Sequence, residues 1–191
     1  EFRFNGKPLP TLQGTDSASK VIYMNTFSKT LSPSFRISYM VLPQSLISLF
    51  EKKLGFYSCQ VSSFEQYTLA KFIQDGNYEK HINRMKNYYR SLRNEFITLL
   101  KKSKLSSIAR INEENSGLHF LLTIKSNYSA QELKNRLLKS NINAALLSDY
   151  YYSKTSNEEK TFVINYSSLK KEQIPRVTEV FAYACGIQLV M

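Results

Sequence analysis

A short polar loop that carries a lysine lies between two apolar runs near the start of the chain. One run extends from Val21 to Met24 and the other from Ile37 to Leu42. Short, near-continuous apolar runs rich in β-branched and aromatic residues are typical of strands buried on both faces of a parallel sheet. The sequence therefore predicts two buried strands, with the loop at the edge of their sheet.

The loop is rich in groups that bind anions. It contains Lys29, Arg36 and several hydroxyl side chains, among them Thr26 and Ser28. An uncharged lysine amine can form a Schiff base with a carbonyl, and a guanidinium fork matches a phosphate dianion. We predict a pocket for pyridoxal 5'-phosphate, with Lys29 as catalytic lysine and tether, and with Arg36, Thr26 and Ser28 as further cofactor-binding residues. The alternative is a solvated basic turn, which is the commoner state of a single lysine or arginine.

The segment TFSKTLSPSFRISYMVLP resembles the lysine segment of fold-type-I aminotransferases. It is most similar to that of the MocR/GabR-type transcriptional regulators of the GntR family, in which an N-terminal winged helix-turn-helix precedes an aminotransferase-like domain. The stretches EFRFNGKPLPTLQGTD, GLHFLLTI and LLSDYYY also match this pattern, so the likeness covers most of the chain. Within the group it leans towards members similar to a staphylococcal regulator of efflux.

This resemblance implies a fold and a function. The fold is the C-terminal part of a fold-type-I PLP-dependent aminotransferase-like domain, α/β with an α+β small domain. The implied function is the effector-binding and oligomerisation part of a cytoplasmic bacterial regulator, without physiological turnover. Its implied partners are a second copy in a homodimer, a small-molecule effector of unknown identity, and promoter DNA bound through the preceding domain. The alternative is a fragment of a catalytically active PLP-dependent aminotransferase.

Two departures from the resembled family limit what can be carried over. The acidic residue that faces the pyridine nitrogen, and a tyrosine near the ring oxygen, lie in that family before the position of Glu1. We therefore expect this chain alone to be inactive and to hold the cofactor weakly or not at all. GABA-responsive members carry an arginine where this sequence has Asp149. A carboxylate there would repel a carboxylate effector.

Length, charge and cysteine content agree with a cytoplasmic fragment. The chain has 191 residues, begins at Glu1 without an initiator methionine, and contains no signal peptide and no apolar run that could span a membrane. Its net charge of +11 is spread along predicted helices, which favours solvated faces over DNA contact by this fragment. Cys59 and Cys185 lack a CxxC spacing, which favours reduced thiols.

The two histidines do not suggest a metal site. His81 and His119 are far from each other and from the cysteines in sequence, so no metal is predicted. His119 lies within an apolar strand pattern, where a packed core histidine is the favoured interpretation.

The resemblance, placed on the helices and strands that periodicity and capping predict, implies three parts: residues 1–76 as the end of the large cofactor-binding domain, 77–103 as an interdomain helix, and 104–191 as a small C-terminal domain. The predicted helices are Ser45–Leu54, Ser62–Asp75, Tyr78–Lys102, one that a Ser129–Glu132 capping box begins, and Glu172–Cys185. The predicted strands of the last part are Ile108–Ile111, Gly117–Ile124, Asn143–Leu147 and Thr161–Tyr166.

Overall fold

The computed structural model of the chain describes residues 2–7, 9–112, 115–152 and 160–187. They form two compact units. The first runs from Gly6 to Met85, and the second combines Phe2–Asn5 with the chain from Lys86 onward. The boundary falls inside the longest helix, whereas the predicted division at residues 76 and 103, which stays a prediction, makes that helix a separate segment. Within the described ranges, no helix has both the length and the apolar character needed to cross a membrane.

A hairpin and helices make up most of the first unit. Its elements are β1 (Tyr23–Thr26), β2 (Ser38–Val41), α1 (Gln44–Leu54), α2 (Ser63–Gln74) and the start of α3 (Asn77–Lys102). All three helices lie within one or two residues of their predicted bounds. Ser62 caps α2, since its Oγ accepts a hydrogen bond from the Glu65 backbone N–H at 3.3 Å. Gly76 follows α2 with a φ of +72°, a left-handed conformation that favours glycine.

The expectation of two strands buried in a parallel sheet is wrong. β1 and β2 pair antiparallel, because the connection from Phe27 to Ile37 is shorter than the dozen or more residues that a parallel crossover needs. Both faces of the hairpin also carry exposed apolar side chains, such as Met24 at 73% and Val41 at 41%. An apolar pattern on both faces predicts that both are covered. The described part of the chain does not provide that cover.

The second unit is a four-stranded antiparallel sheet with helices packed on one face. Its strands are β3 (Ala109–Asn112), β4 (His119–Ile124), β5 (Ala145–Leu146) and β6 (Thr161–Asn165), in the order β3-β4-β6-β5. The helices are the C-terminal part of α3, α4 (Ala130–Lys139) and α5 (Ile174–Ala184). Every second residue from Phe120 to Ile124 is buried, which is the period of a strand with one face in the core. Aromatic pairs join helix to sheet, with ring centroids 5.3 Å apart for Phe96–Phe120 and 5.8 Å for Phe162–Phe181.

The predicted capping box at the start of α4 is confirmed. The Ser129 hydroxyl accepts from the Glu132 N–H at 3.2 Å, and the Glu132 carboxylate accepts from the Ser129 N–H at 2.7 Å. That backbone hydrogen bond is the main reason why the pKa of Glu132 lies below its usual value. Local sequence alone therefore determines where this helix begins.

Two side chains differ in burial from what the sequence predicts. His119 is exposed, because the alternation of β4 that buries Phe120 turns its neighbour to the outer face of the sheet. The interpretation of His119 as a core histidine is therefore wrong. Arg93, which helical spacing assigns to a solvated face, is only 6% exposed. Its guanidinium lies 4.8 Å from the centre of the Phe4 ring and donates to Asn94 Oδ1 at 2.7 Å.

The first residues of the chain also differ from the loop that the sequence predicts. The Phe4 N–H donates to the Asn115 carbonyl at 2.9 Å, and the Gly117 N–H donates to the Phe2 carbonyl at 2.8 Å. This short pairing joins the start of the chain to the connection between β3 and β4. Phe4 is thereby buried in the core of the second unit.

Candidate cofactor site

The loop between β1 and β2 is closed by two hydrogen bonds that cross it. The Thr26 hydroxyl donates to the Ile37 carbonyl at 3.1 Å, and the Ser28 hydroxyl donates to the Phe35 carbonyl at 2.8 Å. The Phe27 N–H also donates to the Ile37 carbonyl at 3.0 Å. The two sides of the loop are therefore held together beyond the last paired residues of the hairpin.

This closure joins the backbone next to the predicted lysine to the backbone next to the predicted arginine. Lys29 follows Ser28 and Arg36 follows Phe35, so the 2.8 Å hydrogen bond between Ser28 and Phe35 joins the backbone next to each of them. Both Lys29 and Arg36 are exposed. A primary amine and a guanidinium at one end of a short loop are the donor set that a phosphorylated aldehyde requires. The residues present therefore fit pyridoxal 5'-phosphate.

Thr26 and Ser28 have a visible structural role. Each has a single hydroxyl proton, and each donates across the loop to a backbone carbonyl. To donate to a phosphate, either hydroxyl would have to give up that bond. Their contact with the cofactor stays a prediction, and what the structure shows is that they hold the loop closed.

Apolar side chains anchor the loop to the rest of the first unit. Phe27, Ile37 and Leu69 are among the residues that line a depression of about 300 Å³ between the hairpin and α2. The Phe27 ring also meets the Tyr78 ring edge-on, with centroids 5.8 Å apart. Thr30, one residue after the lysine, is buried. The loop is thus fixed at both sides of Lys29, which itself remains open to solvent.

Asp16, which fixes the conformation of the segment before β1, was not identified from the sequence. The Asp16 carboxylate accepts hydrogen bonds from the backbone N–H groups of Ala18, Lys20 and Val21 at 2.9, 2.6 and 2.7 Å. These bonds, the Val21 bond above all, hold the pKa of Asp16 below its usual value. The signal in the sequence is an aspartate followed by Ser-Ala-Ser, since aspartate commonly bonds to backbone groups two residues on.

Asp149 lies in the second unit and is already paired. Its Oδ2 accepts from Lys134 Nζ at 2.7 Å and from the Leu146 N–H at 3.2 Å. The Lys134 hydrogen bond is the main cause of a pKa below the usual value for Asp149. The carboxylate therefore closes the turn that follows β5, Leu147–Tyr150. Asp149 therefore has a structural role in this conformation. It also occupies the position at which, by the resemblance, GABA-responsive members carry an arginine.

Comparison with known proteins identifies the class to which this architecture belongs. A kynurenine aminotransferase from Pyrococcus horikoshii superposes with a TM-score of 0.81 and 22% sequence identity, over 97% of this chain and 45% of that chain. The fold is therefore that of the C-terminal part of a fold-type-I aminotransferase. Residues 2–181 match the family described as aminotransferase class I and II. The chain belongs to that family.

Its relatives by sequence include transcriptional regulators. The uncharacterized HTH-type transcriptional regulator YdeL of Bacillus subtilis is 43% identical over 142 residues, 74% of this chain and 30% of that protein. The probable rhizopine catabolism regulatory protein MocR of Rhizobium meliloti is 36% identical over 121 residues, 63% of this chain and 24% of that protein. The predicted resemblance to MocR-type regulators is confirmed. The narrower resemblance to efflux regulators stays a prediction, and the chain spans a third or less of these two relatives.

The Lys134–Asp149 pair predicts a specific dependence on pH. Because folding lowers the pKa of Asp149, its contribution to stability is present above the usual value of 3.8 and is lost as the pH falls through the lower value of the folded state. In Lys134→Met the pKa of Asp149, followed by NMR titration of its carboxyl carbon, should rise towards 3.8. Lys139→Met, on the same helix, is the matched control. An unchanged Asp149 pKa in Lys134→Met would show that the pair has no electrostatic effect.

Proposed function

We propose that this chain is the effector-binding and oligomerisation part of a PLP-dependent transcriptional regulator that also has an N-terminal winged helix-turn-helix. The observation that carries the cofactor part of the proposal is the hydrogen bond that joins Ser28, next to Lys29, to Phe35, next to Arg36, across the loop. The regulatory part is supported by relatives such as YdeL and MocR, whose names describe regulators. Promoter DNA would be bound through the winged helix-turn-helix.

The roles of the loop residues follow from their chemistry. Bound pyridoxal 5'-phosphate supplies an aldehyde that condenses with amines. The Lys29 amine acts as the nucleophile in its uncharged form. Arg36 offers two parallel N–H donors to the phosphate. The Thr26 and Ser28 hydroxyls keep both residues at the same end of the loop.

An active aminotransferase is the second candidate, because the solved structures that share this fold include aminotransferases. Their sequence identity to this chain is low, so the likeness establishes the shared fold and does not establish catalytic turnover by this protein. Incubating the complete gene product with cofactor and a panel of amino donors separates the two candidates. A regulator should bind an amino compound without releasing a keto acid catalytically, whereas an enzyme should turn over repeatedly.

The predicted role of Arg36 can be tested in the complete gene product. Arg36→Lys keeps the charge and loses the bidentate fork, so the cofactor should bind at least about tenfold more weakly. Lys29→Ala should abolish the absorbance of lysine-bound cofactor. Arg84→Lys, which changes an exposed arginine of α3, is the matched control and should bind cofactor like the wild type. Unchanged affinity in Arg36→Lys would remove Arg36 from the site.

The first unit also supports the proposal that a second copy of the chain covers it. Phe64 and Tyr67 on α2 are 79% and 78% exposed, and Phe56 and Tyr57, a few residues before that helix, are exposed as well. Phe64 and Tyr67 lie three residues apart on one helix, so both rings point to the same side. Large apolar side chains that are exposed together favour an association site.

We therefore expect the 191-residue chain to self-associate through residues before Asp75. Sedimentation velocity should show a dimer or larger species for the wild type and a shift towards monomer for Phe64→Glu with Tyr67→Glu, because burying carboxylates without partners is costly. The control pair, Leu138→Glu with Tyr183→Glu, changes exposed side chains of the second unit and should leave the association intact. A monomeric wild type whose amides from residues 21 to 42 exchange slowly would contradict the expectation.

A further inference from the structure

Strand β5 pairs with β6 over only two residues, and a cavity opens where this pairing ends. Ala145 lies opposite Val163, and Leu146 lies opposite Phe162. Before Ala145 the chain leaves the sheet, and a cavity of about 310 Å³ separates residues 141–144 from the end of β6 and from α5. This volume is at the lower end of the range for small-molecule sites.

The cavity has an apolar floor. Ala144, Ile164 and Phe181, which are buried members of the core of the second unit, all line it. A ligand that fills it would therefore cover apolar side chains at the edge of the core. Covering them stabilises binding in proportion to the area removed from water.

Two side-chain amides at the rim have their oxygen ends occupied. The Asn165 Oδ1 accepts from the Ser167 N–H at 3.0 Å and from the Ser167 hydroxyl at 2.8 Å. The Gln173 Oε1 accepts from the Lys170 N–H at 2.8 Å. A backbone N–H can only donate, so the atom facing it must be the amide oxygen. Each amide is left with its NH₂ group as the end that can bind a ligand, and that group is a donor.

Arg176, in the first turn of α5, adds a cation to the same rim. Among the described residues it takes part in none of the ion pairs, which join Lys71 to Asp75, Lys134 to Asp149 and Lys171 to Glu95. Its five N–H donors and permanent charge match an oxyanion better than any neutral group. The polar rim thus offers donors from Asn165, Gln173 and Arg176.

We propose that this cavity binds a small molecule with an apolar body and an oxyanion, either a carboxylate or a phosphonate-like group. The apolar body would rest on Ala144, Ile164 and Phe181, and the oxyanion would accept from Arg176 and the two amides. All the residues that line this cavity are in the second unit, and none of them belongs to the loop that carries Lys29 and Arg36.

The test uses the 191-residue chain and four simple probes. Benzoate and phenylphosphonate carry the two oxyanions, and benzamide and benzyl alcohol are neutral molecules of similar size. In ¹H–¹⁵N NMR titrations, at least one oxyanion should shift the side-chain amide signals of Asn165 and Gln173 at concentrations where the neutral probes do not. The oxyanion that binds more tightly shows whether the site prefers a carboxylate or a phosphonate-like group. Arg176→Gln should weaken that probe by about tenfold or more, the loss expected for a charged hydrogen bond.

Two control variants make the outcome decisive. Arg110→Gln removes an exposed arginine of β3 outside the cavity and should leave the affinity unchanged. Ser168→Phe should block the mouth and abolish binding, because Ser168 is an exposed lining residue whose enlargement leaves the core intact. The proposal is overturned if no probe shifts the Asn165 and Gln173 signals, if the neutral probes bind as well as the oxyanions, or if Arg176→Gln and Arg110→Gln weaken binding equally.

Discussion

The hydrogen bond from the Ser28 hydroxyl to the Phe35 carbonyl, 2.8 Å long, is the interaction on which the candidate cofactor site depends. Lys29 and Arg36 are exposed cations on opposite sides of the loop. The hydrogen bond holds together the backbone beside each of them, and the bond from Thr26 to Ile37 adds a second constraint. Phe27 and Ile37 then attach the loop to the apolar side of α2. A local polar crosslink and a small apolar anchor thus fix the conformation of the hairpin loop.

Features that depend on contacts within a few residues could be predicted from the sequence, whereas features that depend on residues far apart in sequence could not. Capping signals act within one turn, so the pair Ser129–Glu132 correctly identifies where its helix begins. Apolar runs report how many faces of a strand are to be covered, and they contain no information about the direction of its partner. Burial of Arg93 depends on Phe4, a residue far away in sequence, so no local pattern of α3 could reveal it.

The candidate site shows the same division. The assignment of Lys29 and Arg36 to a cofactor site rests on their chemistry, a nucleophilic amine and an anion-binding guanidinium, and it stays a prediction. The hydrogen bonds of the Thr26 and Ser28 hydroxyls across the loop could not be predicted from the sequence, since they depend on which carbonyls the folded loop brings near. The donor groups at the rim of the cavity between β6 and α5 could not be predicted from the sequence for a similar reason. Asn165 and Gln173 become committed donors only after the turns around them have used their oxygens.

The central claim is that Lys29 carries the cofactor, and one measurement tests it directly. The complete gene product would be incubated with pyridoxal 5'-phosphate, reduced with borohydride, digested and mapped by mass spectrometry. Reduction makes the bond between lysine and cofactor permanent, so even a short-lived adduct is recorded. We predict that the added phosphopyridoxyl mass falls on the peptide containing Lys29, and that competing labels on other exposed lysines, such as Lys53, remain minor. Labelling that is absent from Lys29, or no greater there than on Lys53, would contradict the account.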